Sequence, residues 1–179
     1  MQYLENQGTI SRWAVETFGG GGTLAAVVVR AKMECDELLM EMVQPNPNYE
    51  KVWKESADVY ITLCRAAERQ GLNWQQEIDL HKEQMAHIKY DFLGRAAQVD
   101  RLLNSLMCVA HELAQLPPTA AGAEPRHPAF SHALIDVGVL LHQICSRSGG
   151  DLLTSVDEAM AVNRVRRWKL DGRGCGQHV

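Results

Sequence analysis

Residues 24–71 read LAAVVVRAKMECDELLMEMVQPNPNYEKVWKESADVYITLCRAAERQG, and this stretch decides the fold. Leu24, Val28, Ala31, Cys35, Leu38 and Met42 recur at alternating steps of four and three, the apolar stripe of an amphipathic helix. Pro45-Asn46-Pro47-Asn48 ends it, because proline lacks a backbone donor and disfavours helix at the residue before it. Val52, Val59, Leu63, Ala66 and Ala67 then share one face of a second helix over 49–70, with Gly71 as its stop.

Outward from this pair the same period continues. Asn73 is placed to cap a helix over 74–90, and further helices are expected over 95–115, 130–146 and 152–168. Upstream, Gly19-Gly20-Gly21-Gly22 lacks the Gly-Lys-Ser/Thr ending of a phosphate loop and reads as a flexible hinge. Residues 117–128, PPTAAGAEPRHP, are the one strong linker candidate, and the tail 169–179 is glycine-rich and reads as irregular. Alternation of period two is almost absent. The expected fold is therefore all-α, a single domain over 1–179.

A quiet repeat runs through it at a shift of 78 residues. Asp58, Val59, Leu63, Arg69, Gly71 and Asp79 match Asp136, Val137, Leu141, Arg147, Gly149 and Asp157. Two amphipathic helices of equal length can produce such matches by chance. The shared helix–glycine–helix punctuation sets a duplicated unit, with half-units at 1–90 and 91–168, beside chance as an equal alternative.

Composition narrows the function. Eighteen basic against 22 acidic residues give a net charge of −4, which argues against a dedicated nucleic-acid binder. No positively charged, apolar leader opens the chain, and the longest apolar run, residues 24–29, ends at Arg30, far short of a membrane span. Cys35, Cys64 and Cys145 fall on apolar helical faces and no C-x-x-C occurs, as expected of reduced core thiols in a cytoplasmic protein.

The chemistry lies in acids. Glu34 and Glu37 sit three apart on one helix, Glu55 and Asp58 three apart on the next, and Glu41 extends the first stripe. Residues at i and i+3 share a helix side, so antiparallel packing can bring four carboxylates to one seam. Hard oxygen ligands of this charge suit Mg²⁺ or Mn²⁺. A chain with 22 acids supplies two such pairs by chance, and a solvated face is the ordinary alternative. Their placement on consecutive helices beside the apolar stripes is what singles them out. Near the other end, Arg164, Arg166, Arg167, Lys169 and Arg173 against Asp171 give a net +4 over ten residues, suited either to phosphate oxygens or to a helix C-terminus.

Glu34-x-x-Glu37, seventeen residues, then Glu55-x-x-Asp58 resembles the E-x-x-E…E-x-x-D signature of the MazG-like, all-α nucleoside triphosphate pyrophosphohydrolases. EAMAVNRVRRWKLDG, residues 158–172, resembles that family's closing K-x-x-x-N-x-x-R segment in its phage form. ISRWAVETFG (10–19) and WKLDGRGCGQHV (168–179) also look like phage members. In simple members the closing segment follows the E-x-x-D helix directly. Here that place, 74–90, lacks the Asn/Arg pattern, which appears 78 residues later. The second-half counterparts of the four acids are Glu112, Gln115, Ala133 and Asp136. The first half thus keeps the acids and the second keeps the basic segment.

The resemblance implies an oligomeric MazG-like helical bundle that cleaves a nucleoside triphosphate between its α and β phosphates. It implies two or three Mg²⁺ or Mn²⁺ ions on Glu34, Glu37, Glu55 and Asp58. The general base is any acid not fully committed to metal, with Glu37 the choice here. Phosphate contact falls to Asn163, Arg166 and Lys169. Trp13 and Trp168 either stack on the base or pack in the core. Within phage relatives the MazZ branch implies (d)GTP as substrate; a broad or pyrimidine preference is the alternative. The expected assembly is a homodimer or homotetramer, with no nucleic-acid or membrane partner. The rival from another class is a non-catalytic helical interaction module. A di-iron bundle is disfavoured because the only E-x-x-H, Glu124 to His127, lies in the linker.

Overall fold

The computed structural model describes residues 3–20, 22–85, 91–116, 126–170 and 176–178. Seven helices and one hairpin make up this part of the chain. They are α1 (Gln7–Phe18), α2 (Leu24–Met42), α3 (Tyr49–Arg69), α4 (Trp74–Met85), α5 (Phe92–Ala114), α6 (Pro128–Arg147) and α7 (Leu152–Val165). Antiparallel strands β1 (Trp168–Leu170) and β2 (Gly176–His178) follow. The all-α reading is correct in outline, and α2 and α3 lie where the apolar spacing puts them.

Caps explain several boundaries. The Thr23 hydroxyl accepts from the Ala26 amide at 3.1 Å, and Asn48 accepts from the Glu50 and Lys51 amides at 3.1 and 3.3 Å. Glu41 Oε1 accepts from the Asn48 amide at 2.9 Å, tying the end of α2 to the start of α3. Gly71 and Gly149 have φ of +58° and +87°. At each, the amide one residue on donates back to the carbonyl five residues before it: Leu72 to Ala67 at 3.0 Å, Gly150 to Cys145 at 2.9 Å. This is the same left-handed helix stop, 78 residues apart.

Packing interleaves the two halves of the chain. α2 lies against α3 and α5 against α6 within each half. Between halves, α2 packs on α5, α4 on α6, and α7 on α3. One core results, from Val28, Leu38 and Leu63 through Trp74, Ile78 and Leu103 to Phe130, Leu140 and Met160. Tyr60 stacks on Trp74 at 4.6 Å, and the Trp74 indole donates to the Leu134 carbonyl at 2.9 Å. Cys35, Cys64 and Cys145 are buried free thiols. Among the described residues, α6 alone is long and apolar enough to cross a membrane, but its Phe130, Leu134, Leu140 and Leu141 are fully buried in this core.

Four sequence expectations are corrected. A helix absent from the sequence reading, α1, precedes the glycine run; Asn6 and Thr9 cap it reciprocally at 3.1 and 2.9 Å. The last helix ends at Val165 rather than at residue 168. Arg166 turns extended, and the Trp168 indole donates back to the Asn163 carbonyl at 3.1 Å, satisfying one carbonyl of the helix end. The tail is not wholly irregular, since Lys169 pairs with Gln177 in the hairpin. The helix expected over 95–115 begins earlier, at Phe92, because the Asp91 carboxylate caps the Gly94 amide. The linker reading at 117–128 and the helix at 86–90 fall largely outside the described residues, although Pro128 does occupy the first turn of α6.

Candidate metal centre

α2 and α3 form the seam on which the acids meet. Glu34, Glu37 and Glu55 each offer a carboxylate oxygen, all within 4.8 Å of one another. Glu34 is buried, Glu55 half-buried and Glu37 exposed, so the group runs from the core to the surface. Asp58 stands at its rim rather than inside it, 2.8 Å from the Lys54 ammonium. That ammonium also reaches Glu55 Oε1 at 2.9 Å. Glu55 Oε2 is buried with no hydrogen-bond partner.

Electrostatics follow from this crowding. Burial lifts the Glu34 carboxyl to about 7; Arg30, its ion-pair partner one turn earlier, opposes the rise, and Asp58, Glu37 and Glu55 add to it. Burial also raises Glu55, against the pull of Lys54. Burial would lower Lys54, but its bonds to Asp58 and Glu55 outweigh that and hold it well above the ordinary ammonium value. Converging carboxylates that repel one another, with one buried oxygen unpartnered, fit a divalent cation with oxygen ligands.

An open cleft leads away from the acids. Glu34, Glu37, Asp58, Arg30 and Lys54 line its charged end. Trp13, Phe18 and Trp168 line the other end, with ring centres 5.2 to 5.9 Å apart and edge-to-face. Asn163 and Arg166 from the end of α7 line it too, and there the Arg166 guanidinium donates to Asn163 Oδ1 at 3.4 Å. The α7·α3 packing thus brings the closing segment of the second half to the acids of the first, within one chain.

Not every expected residue arrives. Lys169 is exposed in β1 and does not line the cleft. Arg164 is turned away, held by Glu5 through two bonds of 2.8 Å. Trp13 and Trp168 pack on other rings, as the core alternative has it, and both also line the cleft.

Sequence reading passed over Phe18, Arg30, Lys54, Thr62 and Arg65, all of which line the cleft. The signal was present: Arg30 and Lys54 stand four residues before Glu34 and Asp58, and Asp58, Ile61, Thr62 and Arg65 repeat at helical spacing on α3. The glycine run is partly tied down, since Arg65 donates to the Gly19 carbonyl at 3.3 Å and Arg69 to that of Gly22. Comparison with family models, curated proteins and solved structures finds no match to this chain.

Proposed function

We propose that this chain is a metal-dependent nucleotide pyrophosphohydrolase of the MazG-like kind. It converts a nucleoside triphosphate, foremost (d)GTP, to the monophosphate and pyrophosphate. The observation that carries this reading is one cleft lined by two of the three converging carboxylates, Glu34 and Glu37, by Asp58 beside them, and by three aromatic rings. A ligand suited to both ends has an anionic part that shares cations with the acids and a flat apolar part that meets the rings.

Glu34, Glu37, Glu55 and Asp58 would hold Mg²⁺ or Mn²⁺, two or three ions in all. Bound there, the metal would supply charge neutralisation and a water of lowered pKa. The protein's own residues do the rest. Glu37, the exposed member of the group, would take the proton of the attacking water. Arg166, with Asn163 beside it, offers planar donors to phosphate oxygens. Trp168, Trp13 and Phe18 hold the base and keep water from that end.

The proposal extends to assembly and place. A homodimer or homotetramer in the cytoplasm is proposed, supported by exposed Val29, Met33 and Met40 on the outer side of α2. The repeated glycine stops and the interleaved halves support a duplicated ancestry.

Product analysis by ion exchange tests the reaction itself. Incubation of dGTP with protein and Mn²⁺ is expected to yield dGMP and pyrophosphate. Formation of dGDP and phosphate, or unchanged dGTP, would reject the reading.

A further inference from the structure

Lys54 stands at the mouth of the acid group in a role that the reaction above does not use. Its ammonium bridges Glu55 Oε1 at 2.9 Å and Asp58 Oδ2 at 2.8 Å, so one cation already joins a member of the converging group to the rim acid. The side chain is 47% exposed, on a flexible stem with rotatable donors. It lines the main cleft and also the neighbouring groove between α3 and α7, where Trp53, Ser155, Glu158 and Arg166 stand. Asp58, Asn163 and Arg166 line both spaces too, so Lys54 can swing between them without leaving the site. Arg30 differs: its rigid guanidinium is paired to the buried Glu34 on its own helix.

Resting on the metal-dependent reading, we propose that Lys54 is an internal counter-ion that competes with the divalent cation for Glu55 and Asp58. Displaced by that cation, its ammonium turns to the anionic groups of a ligand in the cleft. Lys54 thereby links metal loading to anion binding. It suppresses repulsion among the acids before loading and adds a positive charge to the cleft afterwards.

Calorimetric titration of Mn²⁺ into the parent, Lys54→Met, Lys54→Arg and Lys51→Met proteins tests this, with thermal melts verifying the fold of each. Lys51 is the control, an exposed lysine on the same helix as Lys54 and 3.7 Å from Glu41 of α2. Lys54→Met is expected to bind Mn²⁺ about fivefold more tightly, the scale of an exposed ion pair. Lys54→Arg and Lys51→Met should stay within about twofold of the parent, inside the spread of exposed charge changes. Inorganic tripolyphosphate, added to the Mn²⁺-loaded proteins, should bind Lys54→Met more weakly than the parent, and Lys54→Arg should restore it. Unchanged or weaker Mn²⁺ binding by Lys54→Met overturns the counter-ion role, and unchanged tripolyphosphate binding overturns the link to the anion. A parent that binds no Mn²⁺ at all rejects the metal-dependent reading itself, and this inference with it.

Discussion

Replacing Glu34 by Gln should make the protein more stable at pH 8 while impairing the proposed site. Glu34 is only 6% exposed and its carboxyl is raised from 4.5 to about 7, chiefly by burial. That rise corresponds to about 3 kcal/mol of preference for the neutral form in the fold. The sign follows from linkage. Between pH 4.5 and 7 the folded chain holds a proton that the unfolded chain has released, so stability from this group is full below 4.5 and is lost as pH rises to 7. Gln keeps the shape of the protonated acid and carries no charge to bury. The pull of Arg30 on the charged form is already contained in that value, and the Gln amide oxygen can still accept from its guanidinium. The net expectation is a gain of about 3 kcal/mol at pH 8, shrinking to nearly nothing at pH 4.5. Urea unfolding of parent and variant across this range, with EDTA present, measures the difference directly. Saturating Mn²⁺ should then stabilise the parent more than the variant, because the variant lacks one ligand. A difference that is flat with pH, or a variant less stable at pH 8, would show that the buried Glu34 charge does not cost the fold stability.

Other outcomes follow from the same structure. His142 is lowered to about 4 by burial, so its imidazole should stay neutral well below pH 6, as proton NMR titration would register; stability from this group is lost as pH falls from 6.5 toward 4, opposite in sign to Glu34. Gly138→Ala would drive a methyl into Ile78 and to 3.1 Å from Trp74 Nε1 in a filled core, and should lower stability by about 1–3 kcal/mol in urea unfolding. Trp168→Ala removes a ring that meets Trp13 and Phe18 and should raise KM for the triphosphate about tenfold, with kcat changed far less, in steady-state kinetics.

Much of the fold was legible because α2 and α3 carry unbroken apolar stripes with strong stops. Pro45 and Gly71 punctuate where the helices end. α1 was not, since only Ile10, Trp13 and Ala14 supply its apolar face and its cap depends on a local Asn6–Thr9 exchange. Trp168 misled in the other direction. Its spacing suits a continuing helix, but the indole bond to the Asn163 carbonyl turns the chain into a strand. At the site, the i, i+3 pairs put Glu34, Glu37 and Glu55 together, because helical period fixes which acids share a side. Period says nothing of competing cations, so the capture of Asp58 by Lys54 at the rim was not foreseen. Nor could spacing along one chain place Asn163 and Arg166 beside acids more than a hundred residues away. That juxtaposition comes from α7 crossing to α3 of the other half.

With a divalent cation, the proposed site would release pyrophosphate from a nucleotide. The most direct measurement is pyrophosphate release from a panel of dNTPs and NTPs with Mg²⁺, Mn²⁺ or EDTA, for the parent and for Asp58→Asn. Metal-dependent release with dGTP foremost is expected, abolished by EDTA and lowered at least about a hundredfold by Asp58→Asn, the scale seen when a charge-stabilising group is removed. No release from any nucleotide by the folded parent, or equal release by Asp58→Asn, would contradict it.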